Sequence, residues 1–189
     1  MIKENEIINI QNFLNYDDFY TLRNTHSKTL PWYFEGRSSY TMAEWHLNHP
    51  IYGGKKSPIT NFNDLIPEYQ IPLLTLSKKY NVLIHPYDIY FNCYKFGNEM
   101  EIHTDKKTKE GFNRTIIVYL TDDWVPQWHG ETVFYDKNAE HIRQSIVPYP
   151  NSAVISDSRI PHTSAPISKF CLINRTIIVY QCQIELIDD

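Results

Sequence analysis

The pattern of hydrophobic and polar residues changes near residue 81. Before that point, apolar residues recur at helical spacing over about residues 16–28, where Asn15 is a candidate N-cap, and over about 62–80, where two prolines predict an interruption. After it, short β-rich segments alternate with turn residues and no long helical pattern recurs. Helices first and strands afterwards indicate an α+β chain, mainly β, whose sheets pack as a sandwich or jelly roll.

The predicted strands begin with residues 6–10, whereas residues 43–60 have no clear period and are predicted to form a loop. Beyond residue 81 the predicted strands cover residues 82–85, 88–96, 100–104, 114–121, 131–136, 141–147, 153–156, 160–163 and 174–184. The sequence Asn-Arg-Thr-Ile-Ile-Val-Tyr occurs at both 113–119 and 174–180. Because the residues that flank the two copies differ, they predict two comparable core strands and not an internal duplication.

The length and charge are those of one ordinary soluble domain. The 189 residues suffice for a real core, and we expect one domain over residues 1–189, with helical support over about 1–80 and a β core over about 81–185. The net charge of −4 predicts neither nucleic acid nor an anionic membrane as a partner. The oligomeric state is left open by the sequence.

Cysteine usage and the N-terminus bear on the compartment. The three cysteines have no C-x-x-C spacing, which argues against a disulfide scaffold or a zinc site and fits a reducing environment. The first residues lack an apolar signal core, and no apolar run reaches membrane-spanning length. We therefore expect a cytoplasmic protein.

The most informative segment joins Tyr94 to Asp105 and contains a Gly turn followed by His103-Thr-Asp105. If this stretch is extended, the side chains of His103 and Asp105 point to the same face. A neutral imidazole and a carboxylate on one face are two of the three ligands that non-haem Fe(II) oxygenases use, the third being a second histidine.

This group of residues is completed by His162 and Arg175, which lie much further along the chain. His162 follows Ile-Pro at the start of a short predicted strand and is a plausible third ligand. Arg175 opens an apolar strand, where a guanidinium is costly unless it meets an anion. Its fork geometry suits the distal carboxylate of a dicarboxylate co-substrate such as 2-oxoglutarate.

The order His-X-Asp, His, Arg resembles that of the 2-oxoglutarate/Fe(II)-dependent dioxygenases, and most closely the prolyl 4-hydroxylase-like branch with its stand-alone bacterial and phage members. The resemblance covers about half of the chain. The segments that carry it are Cys93–Asp105, Arg114–Trp124, Gly130–Phe134 and Val147–Ile155, followed by His162 and Arg175.

This resemblance implies a fold, a cofactor set and a site. The fold is a double-stranded β-helix, a distorted jelly roll, backed by N-terminal helices, and the cofactors are Fe(II) and 2-oxoglutarate, with ascorbate as a further one. The implied site residues are His103, Asp105 and His162 for iron, Arg175 for the distal carboxylate of 2-oxoglutarate, and Tyr94 and Tyr119 for hydroxyls in the same pocket.

Three positions depart from the family pattern. His129 replaces the first glycine of its Gly-Gly-Glu-Thr element, and Asn151 replaces the turn glycine after Pro-X-Pro. Arg175 also lies further from the distal histidine than the basic residue does in collagen-type enzymes. Lys169 is therefore an alternative anchor for the co-substrate.

The implied activity is hydroxylation of an unactivated C–H bond with dioxygen, coupled to conversion of 2-oxoglutarate to succinate and CO2. The substrate is expected to be a prolyl residue of a peptide or protein, or a small metabolite such as a free amino acid or a sugar. A function of another class is a non-catalytic metal-binding or sensory β-barrel module on the same fold.

Some residues have competing interpretations. His129-X-Glu131 has the same alternation as His103-X-Asp105 and also precedes His162. Tyr94 and Tyr119 could be core aromatics. The aromatic residues that could line a substrate cleft, or simply pack, are Trp32, Trp45, Tyr52, Trp124 and Trp128.

Overall fold

The computed structural model describes residues 2–27, 33–39, 42–53, 57–98, 100–105 and 113–187, and within 26–47 it describes the backbone alone. In these ranges the chain forms two α-helices, α1 (Tyr16–Ser27) and α2 (Pro67–Tyr80), and two 3-10 turns, at Phe62–Asp64 and Pro126–Trp128. The strands of the same ranges are β1 (Ile7–Ile10), β2 (Tyr33–Ser39), β3 (Met42–Tyr52), β4 (Val82–Tyr94), β5 (Asn113–Tyr119), β6 (Thr132–Tyr135), β7 (Ile142–Ile146), β8 (Ala153–Asp157), β9 (His162–Ser164) and β10 (Arg175–Leu186).

The strands form two antiparallel sheets. The larger sheet has the order β1-β8-β5-β10-β4-β3-β2, and the smaller has the order β7-β6-β9. One core cluster joins their inner faces, with Phe134 of the smaller sheet among Tyr119 and Ile177 of the larger. Two sheets stacked on a shared core confirm the predicted jelly roll.

Both helices pack on the outer face of the larger sheet. Asn15 caps α1 as predicted, since its Oδ1 accepts the backbone N–H of Asp18 at 2.9 Å. Leu22 of α1 and Leu76 of α2 are fully buried in the core cluster on that face. The helices thus support the sheet from the side opposite the smaller sheet. None of the helices in the described part of the chain has the length and apolar character to cross a bilayer.

The prediction of a loop over residues 43–60 is wrong, because β3 occupies much of that range and pairs with β4. Pro50 concealed the strand in the sequence. It lies at a register shift in the β3–β4 pairing, where the ladder tolerates a residue without a backbone N–H. β1 agrees with the strand predicted over residues 6–10, and residues 1–80 thus contribute β1, β2 and β3 to the larger sheet besides the two helices.

Two other strand predictions need correction. Residues 82–85 and 88–96 belong to one strand, β4, because the ladder to β10 passes Pro86 through a register shift next to Cys182. The strand predicted over 100–104 does not form within the described residues 100–105. Its only pairing there is an isolated antiparallel bridge between His103 and His162.

A buried ion-pair network ties the N-terminal segment to the larger sheet. Asp157 and Arg114 are each 1% exposed, and Arg114 Nη1 lies 3.4 Å from Asp157 Oδ2. Arg159 donates to both carboxylate oxygens of Asp157, at 2.9 and 2.6 Å. The backbone N–H of Asn5 also donates to this carboxylate, and Arg114 donates to the carbonyl of Lys3.

This network predicts a specific acid sensitivity. Burial alone would raise the pKa of Asp157, but hydrogen bonds from Arg159 and Asn5 and the charge of Arg114 outweigh it and lower the pKa to about 2. An unfolded aspartate has a pKa of about 3.9, so the stabilisation is complete above pH ~4 and is lost as the pH falls towards 2.

We expect Asp157→Asn to lower the free energy of unfolding at pH 7 by about 3 kcal/mol, because it leaves Arg114 buried without its counter-charge. The deficit relative to wild type should shrink by about 2 kcal/mol between pH 4 and pH 2. Urea denaturation at several pH values measures both effects, with Asp64→Asn, an exposed carboxylate, as control. A deficit that does not change with pH would contradict this assignment.

The two positions that replace family glycines both have positive φ. His129 has φ 56° and ψ −141°, a combination that side chains disfavour, and Asn151 has φ 54°. Asn151 compensates by exchanging two side-chain hydrogen bonds with the backbone of Leu14, at 3.0 and 2.8 Å. His129 is exposed; its backbone N–H donates to the carbonyl of Pro126 at 3.0 Å, and its carbonyl accepts from the indole Nε1 of Trp124 at 2.8 Å.

His129→Gly should therefore raise the free energy of unfolding by about 1 kcal/mol, because glycine relieves the strain and keeps the backbone hydrogen bonds. Asn151→Gly is the matched control at a similar φ. It should lower the stability, since it removes both bonds to Leu14. Thermal denaturation compares the two variants, and a destabilised His129→Gly would show that φ strain is not the dominant effect there.

Candidate active site

The backbone brings two histidines face to face. The N–H of His103 donates to the carbonyl of His162 at 3.0 Å, and the N–H of His162 donates to the carbonyl of His103 at 2.8 Å. A reciprocal pair of this kind places the two side chains on the same face of the ladder. The ring centroids lie 4.5 Å apart.

Each imidazole is turned by a local hydrogen bond. Nδ1 of His103 lies 2.9 Å from the carbonyl oxygen of Glu101, and Nδ1 of His162 lies 3.0 Å from that of Ile160. A carbonyl can only accept, so both Nδ1 atoms carry the proton and both Nε2 atoms keep a free lone pair. The two Nε2 atoms can therefore bind a metal ion.

Asp105 lies beside both rings. Its Oδ1 is 3.7 Å from His103 Nε2, and its Oδ2 is 3.4 Å from His162 Nε2. One ligand atom from each of the three residues lies within 4.8 Å of the others. The donor set of two imidazole nitrogens and one carboxylate fits Fe(II).

The protonation of His162 suits this task. Burial lowers the pKa of its imidazole, and the nearby positive charge of a protonated His103 would lower it further, whereas the carboxylate of Asp105 opposes the change. Because the pKa is lowered, the ring is neutral at pH 7. A neutral imidazole is the form that coordinates metal ions.

His103, Asp105 and His162 line a cavity in the interior of the protein. Arg175 lines the same cavity and is 1% exposed. Its Nη1 donates to Ser164 Oγ at 2.9 Å, and its Nη2 donates to Thr132 Oγ1 at 2.8 Å. The guanidinium carbon lies 5.1 Å from the ring centroid of Tyr94 and 5.4 Å from that of Tyr119. Two strands of the smaller sheet and two tyrosines therefore orient this cation.

The charge of Arg175 is not balanced by the described part of the protein. None of the carboxylates in the described ranges forms an ion pair with it, and its Nε is buried without a hydrogen-bond partner there. A desolvated cation of this kind calls for an anion. Arg175 and the His103–Asp105–His162 group line one cavity, so an anion that meets the guanidinium would lie beside the three candidate metal ligands.

The two tyrosines predicted for the pocket have different positions. Tyr94 lines the cavity, and its hydroxyl accepts a hydrogen bond from Asn92 at 2.9 Å. Tyr119 lies behind the cavity wall, and its hydroxyl is 2.6 Å from Thr132 Oγ1. Burial raises the pKa of Tyr119, so this hydroxyl keeps its proton.

The structure separates the competing residues from this constellation. His129 is exposed, and it is not grouped with His162. Lys169 is also exposed, with its Nζ 5.3 Å from the ring centroid of Phe170. Trp124 and Trp128 pack against each other edge to face at 5.5 Å.

The remaining aromatic predictions can be placed only in part. Tyr52 packs on Phe62 at 6.0 Å, away from the cavity. Trp32 lies outside the described residues, as does the side chain of Trp45.

Sequence reasoning missed four polar residues that support the site. They are Thr115, Thr132, Ser164 and Gln181, each of which donates to Asp105 or accepts from Arg175. A partial signal was present, because Ser164 lies two residues after His162 and so shares its face of β9. The partners of the other three depend on contacts between strands that are distant in sequence.

Comparison with known protein families gives a match over the part of the chain that contains this site. Residues 89–180 match the family model described as the 2OG-Fe(II) oxygenase superfamily. By sequence, no curated protein matches the chain. The matched residues include the whole candidate site from Tyr94 to Arg175.

Solved structures share the fold at low sequence identity. An oxidoreductase of the 2OG-Fe(II) oxygenase family from Burkholderia pseudomallei has a TM-score of 0.70 at 10% identity, over 94% of this chain and 84% of that one. A prolyl hydroxylase from Trichoplax adhaerens, in complex with a hypoxia inducible factor peptide fragment, has a TM-score of 0.64 at 16% identity, over 94% and 83%.

HygX from Streptomyces hygroscopicus, with nickel, 2-oxoglutarate and hygromycin B bound, has a TM-score of 0.64 at 10% identity, over 94% of this chain and 82% of that one. These likenesses establish the shared fold, and the family match over residues 89–180 establishes the class of enzyme. Residues 89–180 are those of a 2OG-Fe(II) oxygenase, and the protein is a 2-oxoglutarate-dependent dioxygenase that uses Fe(II).

Proposed function

We propose that this protein hydroxylates an unactivated C–H bond of an organic substrate and converts 2-oxoglutarate to succinate and CO2 in the same cycle. The observation that carries the proposal is the buried Arg175 guanidinium, which has no carboxylate partner in the described ranges and shares a cavity with His103, Asp105 and His162. A cation and a three-ligand group in one cavity match the two ends of a metal-chelating dicarboxylate.

In this proposal His103, Asp105 and His162 hold the iron. Both histidines offer Nε2, because a backbone carbonyl accepts the proton of each Nδ1. Fe(II) and 2-oxoglutarate, when bound, supply the activation of dioxygen on which hydroxylation depends. The protein's part is to hold three ligands on one side, which leaves the other side open to the co-substrates.

Arg175 binds the distal carboxylate of 2-oxoglutarate. Ser164 and Thr132 each accept one N–H of its guanidinium, so Nε and the remaining N–H groups stay available to the carboxylate. The hydroxyl protons of these two residues can also point to that anion. The rings of Tyr94 and Tyr119 exclude water from the guanidinium, which strengthens its attraction for a carboxylate.

The substrate proposed first is a prolyl residue of a peptide or protein, and a small metabolite is the second class. Structures with this fold accommodate both kinds of ligand, a peptide fragment in the Trichoplax adhaerens prolyl hydroxylase and hygromycin B in HygX. In this proposal iron and 2-oxoglutarate occupy the cavity, so the larger substrate would bind at its mouth. A screen should therefore begin with proline peptides and continue with free amino acids and sugars.

The first test is succinate formation by protein supplied with Fe(II), 2-oxoglutarate, ascorbate, air and members of the substrate screen. We expect succinate with the wild type and a loss of at least about 100-fold with His103→Ala, since a ligand set of two residues holds iron poorly. His85→Ala is the matched control, because His85 is exposed and paired with Glu185. Full turnover and metal content in His103→Ala would refute the ligand assignment.

The second test separates the two candidate anchors. Arg175→Met should raise the dissociation constant for 2-oxoglutarate by about 100-fold, measured calorimetrically without dioxygen on Mn²⁺-loaded protein, because a buried carboxylate would lose its charged partner. Lys169→Ala should leave the constant unchanged. If Lys169→Ala weakens 2-oxoglutarate binding and Arg175→Met does not, Lys169 is the anchor for the distal carboxylate. If the wild type binds no 2-oxoglutarate, the result favours a non-catalytic module.

A further inference from the structure

We propose that Thr115 and Gln181 are positioning residues that fix the Asp105 carboxylate for metal binding. The inference rests on the proposed function, in which Asp105 is one of three ligands. Thr115 Oγ1 donates to Asp105 Oδ2 at 2.7 Å, and Gln181 Nε2 donates to Asp105 Oδ1 at 3.2 Å. Each carboxylate oxygen therefore has its own neutral donor.

The pairing of β5 with β10 creates this arrangement. Thr115 and Gln181 are directly opposite each other in the register of the two strands. Side chains opposite each other in a ladder share a face, and this face lines the cavity through Thr115, Ile117 and Val179. Asp105 follows a segment outside the larger sheet, so these two donors attach its carboxylate to the rigid centre of that sheet.

A second hydroxyl, that of Ser158, orients Thr115. Its Oγ1 lies 3.2 Å from Ser158 Oγ, and Ser158 is 1% exposed. Because the single hydroxyl proton of Thr115 goes to Asp105, Ser158 must be the donor in the second contact. The two hydrogen bonds therefore run in one direction, from Ser158 to Thr115 and from Thr115 to the Asp105 carboxylate.

Gln181 is a poor choice for stability alone. The residue is 6% exposed, and its Oε1 is buried without a partner among the described residues. A buried acceptor left unpaired is unfavourable, and an apolar side chain of similar size would avoid the problem. What the amide does provide is Nε2, which contacts Asp105 and lies 3.4 Å from the hydroxyl of Tyr90.

With Thr115 and Gln181 bound to it, the Asp105 carboxylate has both oxygens close to the histidines. Oδ1 lies 3.7 Å from His103 Nε2, and Oδ2 lies 3.4 Å from His162 Nε2. Without the two donors, the carboxylate could rotate out of this plane before a metal ion arrives. Loss of hydrogen bonds of this kind to a ligand lowers metal affinity by about 10- to 100-fold.

The test is calorimetric titration of the metal-free protein with Mn²⁺, in the absence of 2-oxoglutarate. Gln181→Leu and Thr115→Val should each weaken Mn²⁺ binding by about 10-fold or more. Gln181→Leu should melt at the same temperature as the wild type or higher, which a purely structural role would not allow. Thr115→Ser keeps the hydroxyl and should restore the affinity that Thr115→Val loses.

The repeated heptad supplies a matched control. Thr176→Val is the same substitution in the identical seven-residue sequence, but among the described residues Thr176 Oγ1 contacts only Cys93 Sγ, at 3.9 Å, and does not reach Asp105. It should bind Mn²⁺ as the wild type does. If Gln181→Leu and Thr115→Val also bind as the wild type does, the inference is wrong although the ligand set stands. If the wild type binds no Mn²⁺, or if His103→Ala binds it equally well, the ligand set and the inference both fail.

Discussion

A buried positive charge is the constraint on which this structure depends. The Arg175 guanidinium is desolvated at the start of β10, between the rings of Tyr94 and Tyr119. Its hydrogen bonds cross the interior to Thr132 and Ser164 of the smaller sheet, so one side chain joins the two sheets. The interior it occupies cannot close fully on apolar side chains, because the remaining N–H groups of the cation need an anion. A cavity in the centre of the jelly roll follows from that need.

The candidate metal-binding group of His103, Asp105 and His162 is coupled to this cation through a single short strand. In β9, His162 and Ser164 are two residues apart and share a face. His162 contacts Asp105, and Ser164 accepts a hydrogen bond from Arg175. The bridge between His103 and His162 then sets the spacing of the two imidazoles. The separation between His162 and the Ser164–Arg175 contact is thus set by the geometry of β9, whereas His103 is attached to that strand through its bridge to His162.

Several parts of this arrangement could be predicted from local sequence. The capping of α1 by Asn15 depends on residues three apart. Alternation in an extended segment predicts that His103 and Asp105 point the same way, although that segment pairs only through the isolated bridge of His103. The cost of burying Arg175 also follows from its position in an apolar strand. Prolines misled the strand assignment, because Pro50 and Pro86 lie at register shifts that become visible only when the partner strand is known.

The repeated heptad shows where sequence information ends. By itself, the sequence determined that 113–119 and 174–180 are buried strands, which the identity and order of the residues require. Only the tertiary structure decided which side of each strand faces the cavity. In β5, Thr115 and Ile117 line it, whereas in β10 the alternate positions Arg175 and Ile177 do. Alternation separates two faces of a strand but cannot assign them to a neighbour, because register and flanking sheets make that assignment.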